Sequence, residues 1–265
     1  MPVRFSVRFS SDSEKETVLH CQSVKVFGQD FACPAVIIVL MLLTLPRNVA
    51  GEAVVDEHFQ DLSHWTPVVF PKIDEHSQYQ VEEAESGHIL VATSHASASG
   101  IRYLKEFNVM DYPLLSWRWK VGNIYTKGDL TTKSGDDVPL RVYLMFKFDP
   151  EKAALGDRIM YGLAKIFYGE YPPHSSLGYV WSNRKHEENI LVSPYTDRLK
   201  LIIVQSGNSG VGLWKSEQVN IVKDYKKAFG TLPPESASIA IMNDSDNTGE
   251  SSVSYLEYIR VFNNE

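Results

Sequence analysis

Cysteine is almost missing from this chain of 265 residues, and the two it has, Cys21 and Cys33, both precede position 35. Everything downstream is therefore without a disulfide, a thiol nucleophile or a thiolate metal site. A basic surplus is missing too. Lys and Arg number 26 against 33 Asp and Glu, a formal net charge of −7. Nucleic-acid binding needs a basic footprint that releases counterions, so a nucleic-acid partner is excluded, and simple electrostatic docking on anionic lipid is disfavoured. There is no Gly-x-Ser-x-Gly elbow, no His-Glu-x-x-His pair and no glycine-rich phosphate loop, so the common hydrolase, zincin and nucleotide chemistries find no foothold. Repeats, low-complexity tracts and internal linkers are absent as well.

An apolar stretch long enough to cross a bilayer is not found either. The run Ala35–Leu45 is uncharged but only eleven residues long. That length is short for a membrane span and matches the apolar core of a signal peptide. Small residues follow in Ala50-Gly-Glu-Ala53, so cleavage after Ala50 or Ala53 is expected, with a mature chain beginning near Val54. The rival is a retained N-terminal anchor, which would be the protein's sole membrane contact. Residues 1–34 mix Arg4, Arg8, Lys15 and Lys25 with Asp12, Glu14, Glu16 and Asp30, unlike a short positive leader, and this suggests a true start near Val24 or Val26. The expected organisation is an extension and signal peptide over 1–53 and a single domain over 54–265, in a periplasmic or secreted protein.

What the mature region does contain is alternation. In Leu114–Val121, Leu115, Trp117, Trp119 and Val121 fall on one face of a strand and Ser116, Arg118 and Lys120 on the other. In Leu140–Phe148, Val142, Leu144, Phe146 and Phe148 face inward, with Arg141, Tyr143, Met145 and Lys147 opposite. Further strands are expected at Tyr79–Val81, His88–Ala92, Ile101–Phe107, Leu177–Ser182, Leu199–Gln205, Ser238–Asn243 and Val253–Phe262, with a break at Ser97–Gly100. In the last strand, Val253, Tyr255, Ile259 and Val261 are read as one face. Two helical insertions interrupt the pattern. Residues 157–168 carry Ile159, Leu163, Ile166 and Phe167 at helical spacing, stopped by Gly169 and Pro172-Pro173, and residues 219–229 end at Gly230. Many short alternating strands predict a mainly β fold, a two-sheet jelly-roll β-sandwich of the concanavalin-A-like kind.

Six segments together resemble a bacterial family of exported proteins known as domain-of-unknown-function family 3047. They are Ser116–Val121, Asp136–Tyr143, Gly178–Trp181, Pro194–Arg198, Asp224–Gly230 and Asp244–Glu250. The resemblance implies an exported β-sandwich and brings no catalytic residues with it.

Two candidate sites emerge from the residues themselves. Asp244, Asp246 and Thr248, followed by Gly249, match the first half of an oxygen-rich calcium loop, although position twelve is Tyr255 rather than a bidentate Glu. The alternative for that loop is a hairpin turn rich in Asx geometry. The second candidate is a ligand platform of Arg118, Arg141, Tyr143 and Trp181, in which guanidinium forks suit carboxylates or sulfates and rings suit sugars. Calcium is thus the one cofactor considered, and the expected partner is a saccharide or other anionic envelope ligand bound without catalysis. Two alternatives remain: a glycan-active enzyme of polysaccharide-lyase type using Tyr143, Arg141 and His186, and a structural partner in envelope assembly.

Overall fold

The computed structural model describes residues 51–263 apart from positions 86, 169 and 170, with backbone alone at 163, 164 and 166–168; before residue 51 it describes only the backbone of two short strands. Those are β1 (Val24–Val26) and β2 (Gln29–Phe31), an antiparallel pair. The apolar run 35–45 and Ala50 lie outside the described residues, whereas Ala53, the other expected cleavage point, begins a strand and pairs with Phe262.

The remaining strands form two sheets. Sheet I runs, in spatial order, β12 (Ile190–Val192), β13 (Leu199–Ser206), β11 (Ser175–Ser182), β10 (Arg141–Phe146), β15 (Ser236–Asp244), β7 (Ala98–Tyr103) and β4 (Trp65–Val68), with β8 (Phe107–Asn108) also pairing β15. Sheet II runs β14 (Lys215–Asn220), β9 (Leu114–Val121), β16 (Ser251–Phe262), β6 (Gly87–His95) and β5 (Gln78–Ala84), with β3 (Ala53–Glu57) on β16. All pairings within them are antiparallel except β11 with β13. The architecture is a two-sheet jelly-roll β-sandwich.

Alternation explains the core. Leu115, Trp117, Trp119 and Val121 of β9 meet Val142, Leu144 and Phe146 of β10 across the sandwich, all of them fully buried. Trp117 stands edge-on to Trp119 at 5.6 Å and packs against Tyr179 at 5.3 Å, while Trp119 meets Trp181 at 5.9 Å. Each such ring removes roughly 150–250 Å² from water, a gross gain of about 4–6 kcal/mol apiece. This aromatic spine holds the two sheets in register.

Four local expectations are corrected. β7 begins at Ala98, so Ser97–Gly100 is not a break; the turn sits at Ala96, with φ 46°. The second helix, α2 (Ile221–Phe229), starts two residues late because Val219 and Asn220 pair with Leu115 and Leu114 on β9. Asn220 then caps the helix through Lys223 N–H at 2.9 Å, and Gly230 closes it at φ 77°. In the first helix, α1 (Leu155–Tyr168), Ile159 is 59% exposed. Among the described residues, Tyr161 anchors α1, stacked on Phe148 at 3.8 Å, while Ile159 faces solvent. Leu163, Ile166, Phe167 and Gly169 of that expectation lie outside the described residues.

The fourth correction concerns β16. Its register on β9 shifts between Leu256 and Tyr258, so Glu257 is the extra residue of a bulge. Before the bulge Ser252, Ser254 and Leu256 point inward; after it Ile259 and Val261 do. Val253 and Tyr255 therefore belong to the outer face. The 245–250 loop is no hairpin either. It carries the chain from β15 in sheet I to β16 in sheet II, both inner strands.

Candidate functional site

The outer face of sheet I is not open to solvent along its length. Residues 122–138 fold over it, and Leu130 and Val138 form a small apolar cluster with Val180 and Leu201 of the sheet. Polar ties hold this cover down. The Glu250 carboxylate accepts from Thr126 N–H at 3.0 Å and Lys127 N–H at 2.9 Å. Asn183 accepts from Tyr125 N–H at 2.8 Å and donates to the Asp137 carbonyl at 2.7 Å. The cover therefore delivers Asp136 and Asp137 to a fixed place above β10.

Arg141 lies beneath them, 1% exposed. Its Nε and Nη2 donate to the two oxygens of Asp244 at 3.2 and 2.7 Å, and Nη1 donates to Asp136 Oδ1 at 3.0 Å. Nη2 also donates to the Asp136 carbonyl. Asp137 is satisfied separately, by Asn247 Nδ2 at 3.0 Å and Thr248 N–H at 2.6 Å. Among the described residues, Asp246 accepts from its own backbone N–H and, at 3.3 Å, from its neighbour Asn247 Nδ2. One guanidinium thus faces four carboxylates in a poorly hydrated pocket, an imbalance that favours uptake of protons or of a cation. Burial drives the Asp244 carboxyl up to about 8, with Arg141 pulling the other way and Asp137 and Asp136 adding to the rise. Burial also raises Asp136 and Asp246.

This cluster forms one end of a cavity of about 520 Å³. Tyr143 and Met242 lie on its sheet side, Phe70 and Ile73 come from the loop after β4, Tyr195 from the loop between β12 and β13, and Asn247 from the crossing between the sheets. Tyr195 is 54% exposed, and its hydroxyl lies 3.0 Å from Asn247 Oδ1 and 3.1 Å from the Lys133 carbonyl. Burial pushes the Tyr143 hydroxyl up to about 12, against the pull of Arg141. Tyr143 has room because Gly178 is its cross-strand partner; a Cβ there would lie 2.8 Å from the ring.

Of the expected platform, Arg141 and Tyr143 share this cavity and the other two residues do not. Arg118 stands on β9, in the other sheet. Trp181 points into the core, 0% exposed, with its indole N–H on the Gly207 carbonyl at 3.0 Å. Arg141 has no free fork for an anionic ligand, since Asp136 and Asp244 occupy it. The lyase set does not assemble: His186 bonds Ser182 Oγ at 3.0 Å, beside Asp129 and away from the cavity lining. For a metal, the geometry replaces Thr248 by Asp137. Asp137, Asp244 and Asp246 bring carboxylate oxygens within 4.8 Å of one another, whereas the Thr248 hydroxyl points at the Ser245 carbonyl at 3.5 Å.

Sequence reasoning had not named Asp136, Asp137, Tyr195 or Asn247 as site residues. All four lie in segments that carry the family resemblance, and those segments, 136–143, 194–198 and 244–250, converge on this cavity.

A family model described as "Protein of unknown function (DUF3047)" matches residues 63–260. The chain belongs to this family. No curated protein matches it in sequence. Among solved structures, it is similar to the family 11 carbohydrate-binding module of the cellulosomal cellulase Lic26A-Cel5E of Clostridium thermocellum, at 9% identity and TM-score 0.41 over 82% of this chain and 96% of that one. It is similar to the xyloglucanase domain of NopAA, a type three effector from Sinorhizobium fredii, at 9% identity and TM-score 0.37 over 74% and 92%. A third is the K1 cleaved adhesin domain of Lys-gingipain from Porphyromonas gingivalis W83, at 6% identity and TM-score 0.36 over 80% and 98%.

Proposed function

We propose that this DUF3047 protein binds a neutral saccharide in the sheet I cavity, without catalysis. The observation that carries the reading is the state of the cavity's polar groups. Arg141, Asp136 and Asp244 already satisfy one another, and Asn247 and Thr248 hold Asp137, so together they build a wall. Asp246, which takes one long side-chain bond, and the phenols of Tyr195 and Tyr143 remain to meet a ligand, beside the Phe70 ring. A carboxylate and phenols suit sugar hydroxyls, and ring faces suit the apolar face of a pyranose. Even with the Asp244 proton retained, Asp136, Asp137 and Asp246 outnumber the cations of the cavity, Arg141 and the exposed Lys72, which disfavours a uronate or sulfate here. Glycoside hydrolysis by the common route needs two available carboxyl groups flanking one bond, and Asp246 alone is uncommitted.

Two further parts of the reading rest on sequence or on partial geometry. The apolar run Ala35–Leu45 supports export, which places the domain where envelope or extracellular glycans occur. The Asp137, Asp244 and Asp246 oxygens support a calcium ion as a stabilising partner, though hydrogen bonds from Arg141, Asn247 and Thr248 already use much of their capacity.

Calorimetric titration with neutral hexose, N-acetylhexosamine and uronate tetramers tests the binding. Saturable binding of a neutral tetramer, weakened at least about tenfold in Tyr195→Ala and in Asp246→Ala, is the expected result; a loss of about 1.4 kcal/mol corresponds to that factor. Equal affinity in both variants, or preference for the uronate, would remove the proposal.

A further inference from the structure

Arg118 leads to a second surface. On β9, Arg118 and Lys120 point away from the core on the outer face of sheet II. Pairing with β16 sets Tyr255 opposite Lys120, and the bulge at Glu257 sets Tyr258 opposite Arg118. The loop before β14 returns to this edge, with Gly212 N–H on the Val121 carbonyl at 2.8 Å, and brings Trp214 over both cations. The Trp214 centroid lies 5.4 Å from the Arg118 guanidinium and 5.1 Å from Lys120 Nζ. Lys120 Nζ is also 4.1 Å from the Tyr255 centroid, and the two rings stand edge to face at 6.4 Å.

The charge here is not spent as it is at Arg141. Among the described residues, no carboxylate lies within ion-pair distance of Lys120; its partners are ring faces. Arg118 gives one N–H to Glu257 Oε2 at 2.5 Å and is 38% exposed, which leaves most of its five donors for another group. Beyond Glu257 the same face opens into a second cavity, of about 420 Å³, lined by His58, Gln60, His88, Glu257 and Tyr258. An overall acidic protein thus holds two cations, three rings and a polar hollow in one row across a sheet.

We propose that the outer face of sheet II is a separate binding site for an acidic saccharide, with Lys120 and Arg118 taking a carboxylate or sulfate and Trp214 and Tyr255 the sugar ring. A strongly hydrated ammonium resting on aromatic faces is poised to exchange them for an anion. The rings add what a bare basic patch lacks, a preference for an anion carried on a flat apolar body. The sheet I cavity is chemically the opposite, so the two sites sort neutral from acidic glycans.

Native-gel affinity electrophoresis of the full-length protein tests this, with polygalacturonate, dextran sulfate or uncharged dextran cast in the gel. The expected result is retardation by the first two polymers and none by dextran. Lys120→Gln and Trp214→Ala should each reduce retardation at least about threefold, while calorimetry shows neutral-tetramer binding unchanged from wild type. Retardation by a single acidic polymer assigns carboxylate or sulfate as the group taken. Unretarded migration in both acidic gels overturns the site. So does retardation that persists in Trp214→Ala and falls only with added salt, since that is adhesion by charge alone. Thermal melting of each variant separates loss of binding from loss of fold, and Tyr255→Leu provides a second ring variant should Trp214→Ala fail to fold.

Discussion

Asp244 makes the protein's stability fall as pH rises through neutrality, opposite to the behaviour of a simple ion-paired carboxylate. The folded carboxyl titrates at about 8, and an unfolded aspartate at about 3.9. Between those values the folded state keeps a proton that the unfolded state has lost. Stability is therefore highest, for this group, below about pH 3.9 and declines by about 1.4 kcal/mol per pH unit until the folded carboxyl also ionises. Burial raises Asp136 and Asp246 as well, with the same sign. Two histidines oppose the effect at lower pH. Burial lowers His174 and His186, so their contribution grows as pH rises and is nearly complete above the unfolded histidine value of about 6.5. From about pH 6.5 to about pH 8 the remaining histidine gain is the smaller effect, and Asp244 sets a net loss on the order of 1–2 kcal/mol.

Urea unfolding followed by tryptophan fluorescence reads this directly, because Trp117, Trp119 and Trp181 are all in the core. The midpoint should fall with pH at constant denaturant slope. Asp244→Asn removes the titrating group but keeps an oxygen for the Arg141 fork. Its pH slope across the window should be nearly flat, at a fixed cost of about 1–3 kcal/mol for the altered buried bond. A wild-type midpoint that does not move between about pH 6.5 and about pH 8, or an Asp244→Asn protein that keeps the wild-type slope, would refute the assignment of the cluster's proton.

Calcium and that proton compete for the same carboxylates, so millimolar calcium should raise the melting temperature more at about pH 8 than at about pH 6.5; no shift at the higher pH removes the metal reading. Gly178→Ala places a methyl 2.8 Å from Tyr143 Cε1 and 3.1 Å from Leu201 Cδ2. It should push the Tyr143 ring into the cavity and weaken neutral-tetramer binding in calorimetry by about tenfold or more. Trp181→Phe loses the bond to the Gly207 carbonyl and part of the spine packing. It should cost about 1–3 kcal/mol in urea melts and leave saccharide affinity unchanged; a drop in affinity at unchanged stability would return Trp181 to the ligand.

The fold was largely readable because a sandwich core writes itself as alternation. Leu115, Trp117, Trp119 and Val121, and Val142, Leu144 and Phe146, carry the pattern in the residues themselves, and the packing follows it. The pattern misled where the backbone left its period. Glu257 adds one residue to β16, so parity read forward from Val253 lands on the wrong face by Ile259. Likewise, a loop of Asp, Asn, Ser and Gly between two strands is compatible with a hairpin or with a crossing between sheets. Only the pairing partners of β15 and β16 decide between them.

Arg141 shows why the site was harder to read than the fold. Its parity on β10 is correct from sequence, and it does face away from the core. An outward face becomes solvent-exposed only if nothing covers it, and the cover here comes from residues 122–138 through Leu130 and Val138. Once covered, a guanidinium must be paired, and its partners come from just before β10 and from about a hundred residues downstream, Asp136 and Asp244. That long-range pairing has no local signature. It also reverses the chemistry expected of the residue, since an arginine held by two aspartates in a group of four carboxylates presents no positive charge to a ligand. Two cations that remain available to an anion beside aromatic faces, Lys120 and Arg118, lie on the opposite sheet near Trp214. The sign of a ligand's charge should therefore decide which side of the sandwich it occupies.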